Sequence, residues 1–366
     1  MIVLNLELEN IYGFSDFTIN FSYPKKVVNS FIDDEHLKDR PRFRYKKAVV
    51  LMGTNATGKT SLGKVLLKVF TFINNVNPDA LYEMVSGDKG TISIDFVNNG
   101  YVLNRLVLEI EPALENVRVK VYTADIGKMD SYEMCTKKLK DRTGDILSPN
   151  AMKKLIGKIE YRFAYPEIEN TLLINALNKN VLLKTLRAVV GTLDPTLKEI
   201  TLSRDLKDTF IIRRKNQEII IQEGKLLNRA ILSSGTVEGI DVAIFLASMM
   251  TKENTFYYCD EHFSYIHSDI EKRIFGLMLE RIRQNEQLIF TTHNTDMLDL
   301  NLPKHAYVFL RKKMEDGEFR VSAISASEFL LKNTDSVRNA VENDVFGSLP
   351  DDSLLDELEL GWEDER

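Results

Sequence analysis

Four short stretches carry residues whose types and order can act on phosphate. The first is Gly53-Thr-Asn55-Ala-Thr-Gly58-Lys59-Thr60-Ser61, which matches the pattern G-x-x-x-x-G-K-[ST]. Its glycines let backbone N–H groups curl around phosphate oxygens, and a helix opening near Gly58 turns its positive end toward the same anion. Lys59 is placed to reach the β- and γ-phosphates of ATP, and Thr60 to offer its hydroxyl oxygen to Mg2+. Gly53, Asn55, Gly58 and Ser61 complete the expected nucleotide cradle. The second stretch, Phe256-Tyr-Tyr-Cys-Asp260-Glu261, is an apolar run ending in two acids, the Walker B form. Asp260 would hold the metal, directly or through water, and Glu261 would polarise the attacking water as general base.

The third stretch is Leu232-Ser233-Ser234-Gly235-Thr236, ahead of a helical pattern over 236–251. Serines and open N–H groups at a helix start form a second phosphate cradle, although the same residues also serve as an ordinary helix cap. The fourth, Leu288-Ile-Phe-Thr291-Thr292-His293-Asn294, is an apolar run ending in Thr-Thr-His. His293 at a strand end can donate to a phosphate. Cys259, His262 and His267 lie close together in sequence, but their spacing fits no familiar zinc site.

These residues need elements to hold them. Ala48 to Met52 is unbroken apolar sequence, the mark of a strand covered on both faces. Helical spacing follows from Leu62 to Ile73. Before it, residues 2–9 and 17–21 alternate as strands around a Tyr12-Gly13 turn, and 23–46 reads as a polar insertion or long loop. Short strand runs at 91–96, 101–110 and 117–122, with Asn98-Asn99-Gly100 as a hairpin turn, suggest an antiparallel β-subdomain. Residues 150–193 read as mainly helical. Strand signals return at 199–202, 209–213 and 218–222. Strands at 255–259, 287–291 and 306–310 then alternate with helices at 236–251 and 268–284, which predicts a parallel α/β core. No repeat and no sustained heptad appears. The expected organisation is a first lobe over 1–130, a helical insertion over 131–195, a second lobe over 196–349 and an acidic tail over 350–366.

Composition narrows the class. The chain of 366 residues is 44% hydrophobic and 28% charged with a formal net charge of -6, the balance of a folded globular protein. Nucleic-acid binding would therefore need a local basic patch. Candidates are Arg40-Pro-Arg42-Phe-Arg44-Tyr-Lys46-Lys47, where aromatics interleave with cations, and Arg311-Lys312-Lys313. Two distant cysteines, Cys135 and Cys259, form no disulfide framework, and neither a signal peptide nor a membrane span is apparent, so the expectation is cytoplasmic. The tail sets eight acids against Arg366, with Leu354, Leu355, Leu358 and Trp362 at helical spacing; it reads either as a solvated run or as a helix that docks on a partner.

Taken in order, these motifs resemble those of ABC-type ATPases, including the SMC and RecF-like heads. Leu232 to Thr236 resembles their Leu-Ser-Gly-Gly-Gln signature, with Ser234 for the first Gly and Thr236 for the Gln; His293 resembles their H-loop histidine. The resemblance implies an ABC-like α/β head with a mostly parallel core sheet, an antiparallel β-subdomain and a helical insertion. It also implies that Ser233, Ser234 and Gly235 complete the nucleotide site of a second copy, so that ATP and Mg2+ close a homodimer. Asp260 to Ser268 is similar to the Asp-Glu…Leu-His-Pro stretch of the AAA-15/OLD-like ATPases of abortive-infection and anti-phage systems, with His267 at the His and Ser268 for the Pro. Leu8 to Asp16 and Ser336 to Pro350 are similar to the two ends of such heads. What this implies is an ATPase that switches a separate effector such as a nuclease; a RecF-like DNA-repair ATPase is the alternative. One feature departs from the family: no glutamine occurs between Gly53 and Gln217, where ABC ATPases carry one that contacts metal and water.

Overall fold

The computed structural model describes residues 1–26, 30–146, 149–165, 177–197, 199–215, 217–222, 225–227, 229–315, 317–332 and 335–349. The acidic tail, with Trp362, lies outside the described residues.

The chain builds two six-stranded sheets with a helix between them. The first sheet is antiparallel and early in the chain. Its strands are β1 (Ile2–Glu9), β2 (Phe17–Asn20), β6 (Gly90–Val97), β7 (Val102–Glu111), β8 (Asn116–Asp125) and β9 (Lys140–Asp141), in the order β2-β1-β6-β7-β8-β9. The turns are where the glycines and left-handed residues fall: Tyr12 and Gly13 between β1 and β2, and Gly100 between β6 and β7, all at positive φ. Between β2 and the apolar strand β5 (Ala48–Met52), the stretch expected as a loop carries a small two-stranded sheet, β3 (His36–Leu37) with β4 (Arg40–Arg44).

The second sheet holds the chemistry. Its order is β10 (Tyr161–Ala164), β15 (Phe256–Asp260), β16 (Gln287–Thr291), β5 (Ala48–Met52), β17 (Tyr307–Glu315) and β18 (Glu318–Ser325). The first five are parallel and β18 returns antiparallel as a hairpin on β17. A third, four-stranded antiparallel sheet follows the order β11 (Glu199–Leu202), β12 (Thr209–Arg214), β13 (Gln217–Gln222) and β14 (Lys225–Leu227).

Alternate residues of the core strands face two different cores. Val49, Leu51, Phe256, Tyr258 and Ile289 pack with α1 (Lys59–Asn75) and the antiparallel sheet. Val50, Met52, Tyr257, Cys259 and Phe290 pack on the other face. There they meet the later helices α5 (Lys179–Leu193), α6 (Ser234–Thr251) and α7 (Ser268–Arg281), which follow the short helices α2 (Asp79–Tyr82), α3 (Tyr132–Thr136) and α4 (Pro149–Ile156). Covered on both sides, all five residues of β5 are buried, as its unbroken apolar run requires. Helix α1 is apolar at Leu62, Val65, Leu66, Val69, Phe70 and Ile73, the i, i+3, i+4 spacing of a buried stripe. Each such side chain contributes roughly 1.5–3 kcal/mol on burial. The helix ends where Val76 turns left-handed.

Two differences from the sequence expectations have clear causes. The mainly helical stretch 150–193 also contributes β10, which pairs in parallel with β15, Ala164 opposite Cys259. Four residues are too few to show a period, and the strand exists because Tyr161, Phe163 and Tyr165 stack into the aromatic cluster of Phe70, Phe256 and Tyr258. Strand β17 runs to Glu315, five residues past the expected end, because the β18 hairpin pairs its polar half, Arg311 with Ser322 and Lys313 with Arg320. Near the end of the described chain, α8 (Ala326–Phe329) and α9 (Val337–Glu342) fold back on the second core. Arg338 grips Asp299 with two bonds of 2.5 and 2.6 Å, and Phe346 stacks on Phe309 at 4.2 Å.

Candidate functional site

Strands β5, β15 and β16 are adjacent and parallel, so their C-terminal ends lie side by side. From β5 the chain enters the Gly53–Thr60 loop, from β15 it ends in Asp260-Glu261, and from β16 in Thr291-Thr292-His293. This shared edge is where an open parallel sheet places its ligands.

The loop owes its shape to its glycines. Gly53 has φ 156° and Gly58 φ 94°. A Cβ on Gly53 would lie 2.6 Å from the Leu310 carbonyl oxygen, and one on Gly58 2.6 Å from the ring of Phe14, which comes from the first turn of the chain and underlies the loop. The buried Lys59 amino group donates to the Gly53 carbonyl at 2.7 Å and the Thr54 carbonyl at 3.2 Å. It also lies 3.2 Å from Glu261 Oε1. Burial pulls its pKa down against the attraction of Glu261 and Asp260. Below it, the Tyr258 hydroxyl donates to the Lys59 carbonyl at 2.6 Å, pinning the first residue of α1 to β15.

Thr60 Oγ1 donates to Asp260 Oδ2 at 2.7 Å, and Thr291 Oγ1 donates to Asp260 Oδ1 at 2.8 Å. Burial pushes the Asp260 carboxyl up; the two hydroxyl donors hold it back. Glu261 follows with φ 45°, a left-handed backbone rare for a non-glycine residue and one that clusters at functional sites. Its N–H is held by Thr291 Oγ1 at 2.9 Å. Its Oε1 lies 2.8 Å from His293 Nε2 as well as beside Lys59. The hydrogen bond from His293, then the charge of Lys59, holds the Glu261 carboxyl below the ordinary glutamate range against the effect of burial. Helix α7 steadies this edge: buried Glu271 accepts from Thr292 Oγ1 at 2.8 Å and from the Asn294 amide at 2.6 Å.

Two cavities open here. One of about 530 Å3 is lined by Gly53, Thr54 and Asn55 with His293, Phe309 and Leu349. One of about 450 Å3 is lined by Glu261, Ser264, Ser268, Thr292 and His293. Asn55 is exposed at the crest of the loop and Ser61 half-buried behind it. The residues fit a magnesium nucleotide: a glycine cradle that side chains would fill, a buried lysine, and a threonine hydroxyl paired with a carboxylate, the hard oxygen donors that Mg2+ takes.

The remaining motif stands apart. Ser233 caps α6, its hydroxyl accepting from the Thr236 N–H at 3.2 Å, so the ordinary cap is formed. Ser233 and Ser234 are exposed. No hydrogen bond or ion pair among the described residues joins Ser233, Ser234 or Gly235 to the Gly53–Thr60 loop. Thus the fold gathers Gly53, Gly58, Lys59, Thr60, Asp260, Glu261 and His293 at one edge and leaves the Ser233–Gly235 cradle elsewhere. Thr291, Tyr258 and Phe14 lie inside stretches the sequence singled out but had no role of their own there, and Glu271 carried no marker at all.

The other sequence candidates resolve as follows. Among the described residues no group of three or more His, Cys, Asp or Glu is placed to hold a metal. His267 caps α7 through Nδ1, and both cysteines are free and buried. Of the first basic cluster, Lys46 and Lys47 are buried, and Arg40 is stacked 3.7 Å over Tyr101 and donates to the Ile126 carbonyl. Arg42, Lys312 and Lys313 are exposed. No helix among the described residues is long and apolar enough to cross a membrane.

No protein-family model matches the sequence, and no curated protein matches it. Solved structures do. An SMC head bound to the C-terminal winged-helix domain of ScpA is similar with a TM-score of 0.52 at 14% identity, over 90% of this chain and 100% of that one. The SMC head domain with an extended coiled coil bound to the C-terminal domain of ScpA, from Pyrococcus furiosus, gives 0.49 at 12% identity over 90% and 98%. The recombination mediator protein RecF gives 0.44 at 11% identity over 88% and 98%. The first of these likenesses shows the fold alone: the chain folds as an α/β head similar to that SMC head.

Proposed function

We propose that this head binds and hydrolyses ATP with Mg2+, and that two copies close on the nucleotide as a homodimer. The observation that carries this reading is the meeting of Lys59, Thr60, Asp260, Glu261 and His293 at the ends of three adjacent strands. Lys59 would trade Glu261 and the loop carbonyls for phosphate oxygens, freeing Glu261 to orient and deprotonate water. His293, already within 2.8 Å of Glu261, would donate to the γ-phosphate and keep that carboxylate in place. Thr60 and Asp260 would hold the metal. Bound magnesium supplies charge neutralisation across the transferring phosphate. Gly53, Asn55, Gly58 and Ser61 would surround the phosphates, and Ser233, Ser234 and Gly235 would cradle the nucleotide of the second copy.

The wider role follows from the resemblance of Asp260 to Ser268 and of both ends of the chain to the abortive-infection ATPases. It supports a cytoplasmic anti-phage switch whose nucleotide state controls a separate effector such as a nuclease. The second reading, a RecF-like ATPase acting directly on DNA, draws on the exposed cations Arg42, Lys312 and Lys313; the burial of Lys46 and Lys47 and the pinned Arg40 count against it. The test is the solution mass of the Glu261→Gln protein with and without ATP and Mg2+. The expected result is an ATP-dependent dimer that binds gapped DNA no better than the protein without nucleotide. A monomer in both conditions refutes the dimeric switch, and tight, salt-sensitive binding to gapped DNA favours repair.

A further inference from the structure

Two adjacent lysines lead into β5, and both are buried, yet only one is satisfied. Lys47 donates its amino group to the Asp33 carbonyl at 2.7 Å. Lys46 is 5% exposed, and no hydrogen bond or ion pair among the described residues reaches its amino group. Its backbone is fixed on both sides, the N–H donating to the Phe21 carbonyl at 2.7 Å and the carbonyl accepting from the Gln287 amide at 3.0 Å. A buried ammonium without a partner is costly, and lysines are seldom buried unless paired. Burial pulls the Lys46 pKa down to about 8, with the charge of Glu328 drawing it back, so at neutral pH the amino group still carries its proton for the most part.

Lys46 lines a cavity of about 270 Å3 between the end of β2, the end of β18 and the short helices α3 and α8. That is the small end of the range for ligand pockets. Ser22, in the same wall, is 7% exposed, and its hydroxyl takes no bond among the described residues. Asn20 accepts the Ser22 N–H through Oδ1 at 2.7 Å, which leaves its amide N–H groups unengaged. An ammonium, a hydroxyl and an amide are the donors that hold a carboxylate. Across the cavity stand two carboxylates, Glu133 half-buried on α3 and Glu328 exposed on α8, and neither is paired among the described residues. They repel a multiply charged anion such as phosphate and attract an ammonium. With Lys25 also on the wall, two lysines face two glutamates, so the cavity balances both signs of charge.

We propose that this cavity binds a small zwitterion of the α-amino acid class, its carboxylate on Lys46 and Ser22 and its ammonium toward Glu133 and Glu328. The ligand supplies the counter-ion that the buried ammonium lacks. The cavity is separate from the nucleotide edge. Lys46 stands before the first residue of β5 and the Gly53–Thr60 loop follows the last, so the two lie at opposite ends of one strand. Neither borrows a lining residue from the other.

The experiment is calorimetry on the full chain with the standard amino acids, and with acetate, inorganic phosphate and ethylamine as ligands of a single charge sign. At least one amino acid is expected to bind about tenfold or more tightly than acetate or ethylamine, the scale of one added charge-assisted hydrogen bond. Lys46→Met fills the same space without the charge. It should fold at least as stably as the parent, keep its affinity for ATP, and lose amino-acid binding by about thirtyfold or more, the low end for removing one member of a buried charge pair. Replacing Glu133 and Glu328 together by Gln, at the rim where folding is not at stake, should bring the amino acid down to the affinity of acetate. Acetate or phosphate binding as tightly as any amino acid overturns the zwitterion. Amino-acid binding that survives Lys46→Met, or that survives the double Gln variant, overturns the assignment of these charges. A parent that binds none of these ligands at millimolar concentration overturns the site itself and leaves the nucleotide reading untouched.

Discussion

The loop at Gly53–Thr60 and the helix start at Ser233–Gly235 both set backbone N–H groups and hydroxyls ahead of a helix, yet the protein surrounds them differently. The first is enclosed by its own chain: Phe14 beneath it, Tyr258 tying its helix, and Asp260, Glu261 and His293 arrayed across from it. The second has a satisfied cap, two exposed serines and an exposed aromatic neighbour. The difference teaches what each end needs. The enclosed cradle brings together the side chains that, on the proposed reading, would hold phosphate and metal within a single copy. The open one offers only hydroxyls and backbone groups of its helix start, and on the proposed reading a second copy would complete it.

The strongest way to break that comparison is to disable each cradle in turn. Lys59→Ala removes the buried cation of the enclosed site and leaves Glu261 without that partner. Nucleotide affinity should fall by at least about thirtyfold, the low end for truncating one member of a buried charge pair, as read by calorimetry with an ATP analogue. Dimerisation should vanish with it. Affinity within a factor of about two of the parent would show that the loop is not the nucleotide site.

The open cradle answers differently. Gly235→Ala forces a Cβ against the Tyr265 carbonyl, a backbone atom that has no rotamer to yield. Overpacking of this kind costs about 1–3 kcal/mol, and here the cost falls on the joint between α6 and the Glu261–His267 loop. In the Glu261→Gln background the ATP-bound dimer should weaken about tenfold while monomer affinity for nucleotide holds, unlike Lys59→Ala, where both are lost. Equal losses of binding and dimerisation would mean that the two cradles are one site in a single copy.

The same contrast explains what could be read from the sequence. The enclosed site was legible because its chemistry is local: an apolar strand, a glycine turn and a lysine within Ala48–Lys59, or an apolar strand and two acids. The parallel core was foreshadowed by strand–helix alternation after residue 235, while the order of its strands was not. Strand β10 was hidden because four residues between longer helical patterns show no period, and its pairing partner lies more than ninety residues away. Glu238 and Glu271 were hidden for a different reason. An acid on a helix ordinarily reads as solvated, and only the packing of α6 and α7 against strand-end loops turns these two into buried acceptors. The missing glutamine was legible as an absence between Gly53 and Gln217.

The smallest expected effect concerns charge within the enclosed site. His293 and Lys59 hold the Glu261 carboxyl below the ordinary glutamate range. Its ionised form is therefore favoured by folding, and the stability it contributes is fully present above about pH 5, since an unfolded glutamate titrates near 4.3. That contribution is lost as pH falls through the lower folded value. Asp260 runs the other way, because burial raises its carboxyl and folding favours its protonated form, so its contribution is lost as pH rises. Asp260 is present in both the parent and Glu261→Gln, so to first order it cancels in their difference. Urea unfolding of the two proteins from about pH 7 down to about pH 3 should then show a stability gap that is flat at neutral pH and closes on acidification. A gap that stays flat down to acid would mean that Glu261 gains nothing from His293 and Lys59, and one that widens would mean that burial outweighs both.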